Sequence, residues 1–89
     1  MTLSSGNFPL VKITWLDATD IETGWHTFSE IKDKTLAAVE SVGWVLEETN
    51  EKITLIGCLD MYDENAGRGI IIPRPWITKR EELTVKQNI

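Results

Sequence analysis

The residues best suited to chemistry in this 89-residue chain are tryptophans and arginines. Trp25 follows Gly24 in a polar stretch, and Trp76 stands between Pro75 and Ile77. A tryptophan face stacks on nucleobases or nicotinamide-type rings, worth about 1–3 kcal/mol per stacked base. Arg68 and Arg74 flank the apolar run Gly69–Ile72, and Lys79 and Arg80 complete the one cationic cluster. Guanidinium forks match the oxygens of phosphates and carboxylates. Asp17 and Asp20 carry acceptors suited to ribose hydroxyls. Trp25, Arg68, Arg74, Trp76 and Asp17 thus make a candidate site for a small anionic nucleotide. Each residue also has a plainer role. The arginines pair with Glu81, Glu82 or the acidic body of the chain, Trp25 and Trp76 cap an open end of the fold, and Asp17 is solvated.

The remaining reactive residue types do not assemble into a catalytic pattern. His26 adjoins Trp25, and the sequence places no serine or cysteine beside it, so a nucleophile–base pair is not supported. Cys58, between Gly57 and Leu59, reads as a buried small hydrophobe. A single cysteine and a single histidine exclude an internal disulfide and argue against a Cys/His zinc site. Asp60, Asp63 and Glu64 lack the spacing of a calcium loop, and no glycine-rich phosphate cradle is present. The expectation is a protein that is not an enzyme and takes no metal or cofactor.

Such side chains need elements to position them. Leu10–Asp17 alternates, with Val11, Ile13 and Trp15 on one face, and predicts a first strand with Trp15 in the core. Asp17–Gly24 is a polar loop. Thr27 and Glu30 have the spacing of a capping box, and Phe28 and Ile31 share one face of a short helix ending near Lys34. At about two turns that helix must pack across an open end of the sheet or barrel. Leu36–Glu48 predicts a long second strand, with Val42, Trp44 and Leu46 on one face and Val39, Ser41 and Val45 on the other. Trp44 is placed in the core, and Gly43 marks a bulge or sharp coil. A third strand covers Ile53–Met61, a loop covers Asp63–Gly67, and a short fourth strand, Gly69–Ile72, stops at Pro73 and Pro75. Trp76–Leu83 supplies the fifth. A chain this short hides strand edges best by curving, which predicts a mainly β fold with one short helix, closed as a small five-stranded barrel.

Length and composition are those of one globular domain: 42% hydrophobic and 26% charged residues, with no apolar run long enough to span a membrane. Residues 1–9 read as a flexible leader rather than a secretory signal, residues 10–83 as the domain, and residues 84–89 as a tail. The net charge of −5 is unevenly spread. Met1–Gly67 holds 4 basic and 12 acidic residues, whereas Arg68–Ile89 holds 5 basic and 2 acidic. An acidic body argues against binding duplex nucleic acid, and the basic end can form a local anion site.

Two resemblances add to these readings. The stretch Gly67-Arg68-Gly69-Ile70-Ile71-Ile72-Pro73-Arg74-Pro75-Trp76-Ile77 resembles the end of an SH3-like barrel, where a strand stops at a proline, a 3₁₀ turn follows, and an aromatic–aliphatic pair opens the last strand. The acidic loop and paired tyrosines of peptide-binding SH3 domains are not recognisable. An Sm-like barrel also has five strands and a helix, but its helix precedes the first strand. Over residues 11–83, Trp15-Leu16-Asp17, Gly24-Trp25, Ser41-Val42-Gly43-Trp44-Val45-Leu46-Glu47-Glu48-Thr49, Ile72-Pro73 and Ile77 are similar to small bacteriophage accessory proteins, mostly without assigned function. That resemblance implies action in the host bacterial cytoplasm. By analogy it implies an anti-defence sponge, a homo-oligomer that sequesters a cyclic nucleotide or cyclic ADP-ribose type signal at a subunit interface. The alternative expectation is an interaction module that docks on a host protein through its acidic surface.

Overall fold

The computed structural model describes residues 8–84; the leader and tail expectations fall largely on residues 1–7 and 85–89, outside that range. Five strands, β1 (Leu10–Asp17), β2 (Ala37–Glu48), β3 (Lys52–Asp60), β4 (Asn65–Pro73) and β5 (Ile77–Glu82), form one antiparallel sheet in the order β4-β3-β2-β1-β5. A short helix, α1 (Phe28–Lys32), lies between β1 and β2, and a single 3₁₀ turn, Arg74–Trp76, joins β4 to β5. The fold is mainly β with one short helix, as the alternation predicts.

The expected closure into a barrel is not found. β4 and β5 occupy opposite edges of the sheet and no ladder joins them. Pro73 ends β4, and Pro75 lies in the turn that leads away from it, so neither offers a donor at the junction of the two edge strands. The other end of β4 runs out along β3 instead of returning to the sheet.

One face of the sheet carries the core. Val11, Ile13 and Trp15 of β1 meet Val45 of β2, Ile53 and Leu55 of β3 and Ile72 of β4, with Val39 and Ile77 packed against them. The β1 face is the one its sequence predicts. The β2 face is the opposite one. Val42 and Leu46 are 59% and 43% exposed, and Trp44 is only partly buried, on the outer face directly across from Ile56. Both faces of β2 bear apolar side chains, so period two locates the strand without choosing its inner side.

Gly43 shows why the strand bends there. A Cβ at this position would stand 2.8 Å from the Ile56 carbonyl oxygen, so the approach of β3 requires a residue without a side chain. β2 pairs with β1 from Ala37 to Trp44 and with β3 from Trp44 to Glu48, changing partners at this point. A register shift leaves Leu46 as an extra residue between Val45 and Glu47, a bulge that accompanies the bend.

Beyond Ile56 and Gly69 the β3–β4 hairpin pairs only with itself among the described residues, as an arm carried past the core. From Gly57 to Gly69 every residue is exposed except Leu59, which is partly buried. Cys58 lies in this arm and is an exposed free thiol, contrary to the buried position expected for it. The helix also departs from expectation. Thr27 Oγ1 accepts from the Glu30 amide at 3.1 Å, the predicted cap. Phe28, however, is 82% exposed, and no helical residue is buried, because five residues present too little apolar surface to close an end of the sheet.

Candidate functional site

The five residues singled out for anion binding are dispersed in the folded chain. Trp76 stacks on Trp15, with ring centroids 6.2 Å apart and planes 17° from parallel. Trp15 is buried and donates from Nε1 to Ser41 Oγ at 3.0 Å, which fixes the inner ring of the pair. Trp76 therefore caps the core and remains 43% exposed. It borders a pocket of about 270 Å³ together with Asp17, Leu16, Leu36, Pro75 and Thr78. Asp17 and Trp76 are brought together there. Asp17 also accepts from the Ala18 amide through Oδ1 at 2.8 Å.

Arg74 lies two residues before Trp76 in sequence but is held by a carboxylate. Its Nη1 donates to Glu48 Oε1 at 2.7 Å, and Arg80 Nη1 donates to the same oxygen at 2.7 Å. Arg80 Nε reaches Glu82 Oε1 at 3.0 Å. The Arg74 hydrogen bond, followed by that of Arg80, lowers the Glu48 carboxyl below its ordinary range. The Glu48 hydrogen bond in turn raises Arg80. Lys79 pairs with Glu81, which also faces Lys12, and the positive charge of Lys12 holds Glu81 low. Pairing with Glu81, Glu82 and the acidic body, the plainer reading of the cationic cluster, is thus the arrangement found for Arg74, Lys79 and Arg80, but not for Arg68.

Arg68 and Trp25 are elsewhere. Trp25 projects fully into solvent from the loop before α1. His26 beside it contacts the Glu22 carbonyl through Nε2 at 2.8 Å and approaches Glu30 through Nδ1 at 3.6 Å, a local role at the helix start. Arg68 sits in the arm with φ +54, a left-handed conformation that costs an L-residue about 1–2 kcal/mol. It lies across from Gly57, where an added Cβ would stand 3.3 Å from Arg68 Cβ, so the missing side chain gives the arginine room. Arg68 has no ion pair among the described residues.

A larger, mainly apolar concavity lies between β2 and the arm, away from all five of these residues. Phe8 and the bulged Leu46 face Leu59, Met61 and Ala66 of the arm across about 630 Å³, with Asp60 and Glu64 also lining the space. Asp60 Oδ1 accepts from the amides of Tyr62 and Asp63 at 3.1 and 3.3 Å, which shapes the turn and leaves Tyr62 fully exposed. A sequence signal did exist in Met61-Tyr62, an apolar pair inside an acidic turn. Nothing local announces the bulge that turns Leu46 toward it.

No protein-family model matches the chain, and no curated protein or solved structure is significantly similar to it. No helix among the described residues is long and apolar enough to cross a membrane.

Proposed function

We propose that this protein is a non-catalytic interaction module that docks on another protein through its arm, receiving an apolar segment that carries lysine or arginine. The observation that carries this reading is the cavity between Phe8–Leu46 and the arm, lined mostly by apolar side chains together with Asp60 and Glu64. Apolar side chains in such a groove gain by leaving water, and Asp60 and Glu64 favour a cationic flank over an acidic one. An open SH3-like arrangement is the finer fold description we adopt, supported by the strand order and by the 3₁₀ turn between β4 and β5. A phage source and action in the host bacterial cytoplasm belong to the same proposal.

The test places a photo-crosslinking residue at Met61 and maps the peptide it captures in host cells. Under this reading the captured segment is apolar and basic. Leu59→Asp abolishes its capture, and Glu64→Gln weakens it in a salt-dependent way. Capture that is indifferent to Leu59→Asp, or of acidic segments, overturns it.

A second reading keeps the nucleotide ligand, supported by the exposed part of Trp76 beside Asp17 in the smaller pocket. An oligomer would have to bring Arg68, Arg74 or Trp25 to that pocket from another copy. A thermal shift of the parent protein with cyclic nucleotides or ADP-ribose derivatives, lost in Trp76→Ala, favours this reading. No shift with any of them removes it.

A further inference from the structure

The pocket beside Trp76 is assembled from three parts of the chain. Asp17 ends β1 opposite Ala37 at the start of β2, Leu36 precedes β2, and the 3₁₀ turn brings Pro75 and Trp76 to the same place. The space of about 270 Å³ is walled by Leu16, Leu36 and Pro75, whose side chains offer no donor or acceptor. Thr78, also in the wall, already donates its hydroxyl to the Thr14 carbonyl at 3.2 Å. Asp17 is the one charged residue among those lining it. Its Oδ1 accepts from the Ala18 amide, and no lysine, arginine or histidine among the described residues pairs with it. The cations close to the pocket in sequence are engaged elsewhere, Arg74 by Glu48 and Lys79 by Glu81. The pocket of a single chain thus carries a negative charge without a countercharge.

Trp76 supplies the other half of the chemistry. Trp15 covers one face of its ring in the stack, so the 43% exposure that remains belongs to the second face and the ring edge. The bond from Trp15 to Ser41, and Pro75 in the turn, hold that ring in place before any ligand arrives. The face of an indole is the best side-chain π partner for a cation, because its quadrupole makes the face negative. We infer that this pocket is a site for a small quaternary ammonium ion, held between the open face of Trp76 and the Asp17 carboxylate. Hydrogen bonding sets the class of cation. A primary ammonium brings three donors, and loses bonds to water where Asp17 is the one unengaged side-chain acceptor. A fully methylated head group donates none, and gains by burying its methyls against Leu16, Leu36 and Pro75. A nucleotide here needs arginines from another copy, whereas this ligand needs one chain alone. The inference does not rest on the docking reading, whose groove lies between β2 and the arm.

The experiment titrates the full chain with choline chloride and follows the NMR signals of the Trp76 indole N–H and the Asp17 and Leu36 amides, against sodium chloride at equal ionic strength. These signals shift saturably, and ethanolamine binds at least about tenfold more weakly. N-acetyl-trimethyllysine amide carries the same head group on a side chain. Tighter binding than choline assigns the head group to a modified protein, and weaker binding assigns it to a free small molecule. Asp17→Asn keeps the acceptor for the Ala18 amide and the pocket volume, and loses about tenfold in choline affinity, with less dependence on salt. Trp76→Leu keeps an apolar wall without a π face, and loses the binding. Trp76 also caps the core, so Asp17→Asn decides if the leucine variant does not fold. No saturable shift with choline overturns the inference. So does ethanolamine binding as tightly as choline, or an Asp17→Asn protein that binds choline as the parent does.

Discussion

The inner sheet and the arm are made of similar residues arranged with the same period, yet they meet opposite fates. Val11, Ile13 and Trp15 alternate in β1 and are buried, because β2 and β5 flank the strand and Ile53, Leu55 and Ile72 cover its face. Leu59 and Met61 continue the alternation of β3, but β2 has already turned away at Gly43, and they face a groove open to solvent. Burial here follows from how many strands share a neighbourhood. A two-stranded ribbon offers its side chains nothing to pack on, and is itself marginal without support. The part of the molecule free to bind is the part the sheet does not reach.

That comparison can be broken by substitution, beginning with the largest expected effect. Trp15→Ala removes the ring under Trp76 and opens the core, and should cost about 3–5 kcal/mol in denaturant unfolding. Trp44→Ala, on the outer face, should cost only about 1–2 kcal/mol, since less than a full side chain leaves water there. Equal losses would mean that β2 turns its other face inward. Gly43→Ala should cost about 1–3 kcal/mol, because the added methyl meets backbone rather than a yielding side chain. A neutral result would place the bend of β2 elsewhere.

Two smaller effects sharpen the contrast. Arg68→Gly should stabilise the fold by about 1 kcal/mol, the left-handed backbone being natural to glycine. A loss of stability instead would show that the arginine side chain holds the arm. At the other end of β4, Glu48 has a folded-state carboxyl held below its ordinary value of 4.5 by Arg74 and Arg80. Its contribution is complete above that ordinary value and disappears as the pH falls through the lower, folded one. Glu48→Gln should therefore cost less than about 1 kcal/mol at neutral pH, given its exposure, and should flatten the onset of acid unfolding. An acid transition unchanged by the substitution would show that the pair with the arginines contributes nothing.

The candidate site was only partly legible in advance. Trp76 was recognisable as a residue at the end of the fold, capping or binding; one part of it covers Trp15, the capping role, and another borders a pocket with Asp17. The partners of Arg74 and Arg80 were not legible beyond Glu82. Glu48 lies 26 residues from Arg74 and 32 from Arg80, and no local pattern ties them. The Phe8–Leu46 groove was missed for the same reason, since it joins a bulge to an arm from another part of the chain.

By itself the sequence determined what depends on neighbours along the chain. Alternation located β1 at Leu10–Asp17 and most of β2 and β3, Thr27 set the helix start, and Pro73 and Pro75 set the end of β4 and the turn after it. Each of these rests on a backbone or side-chain preference that acts within a few residues. Tertiary structure decided the rest: which face of β2 is inside, that the sheet stays open, that Phe28 and Cys58 are exposed, and which carboxylate holds Arg74. β2 carries apolar residues on both faces, so the choice between them falls to the strands it meets. It turns Val39 and Val45 inward because that is the side on which Val11, Ile13 and Leu55 already stand.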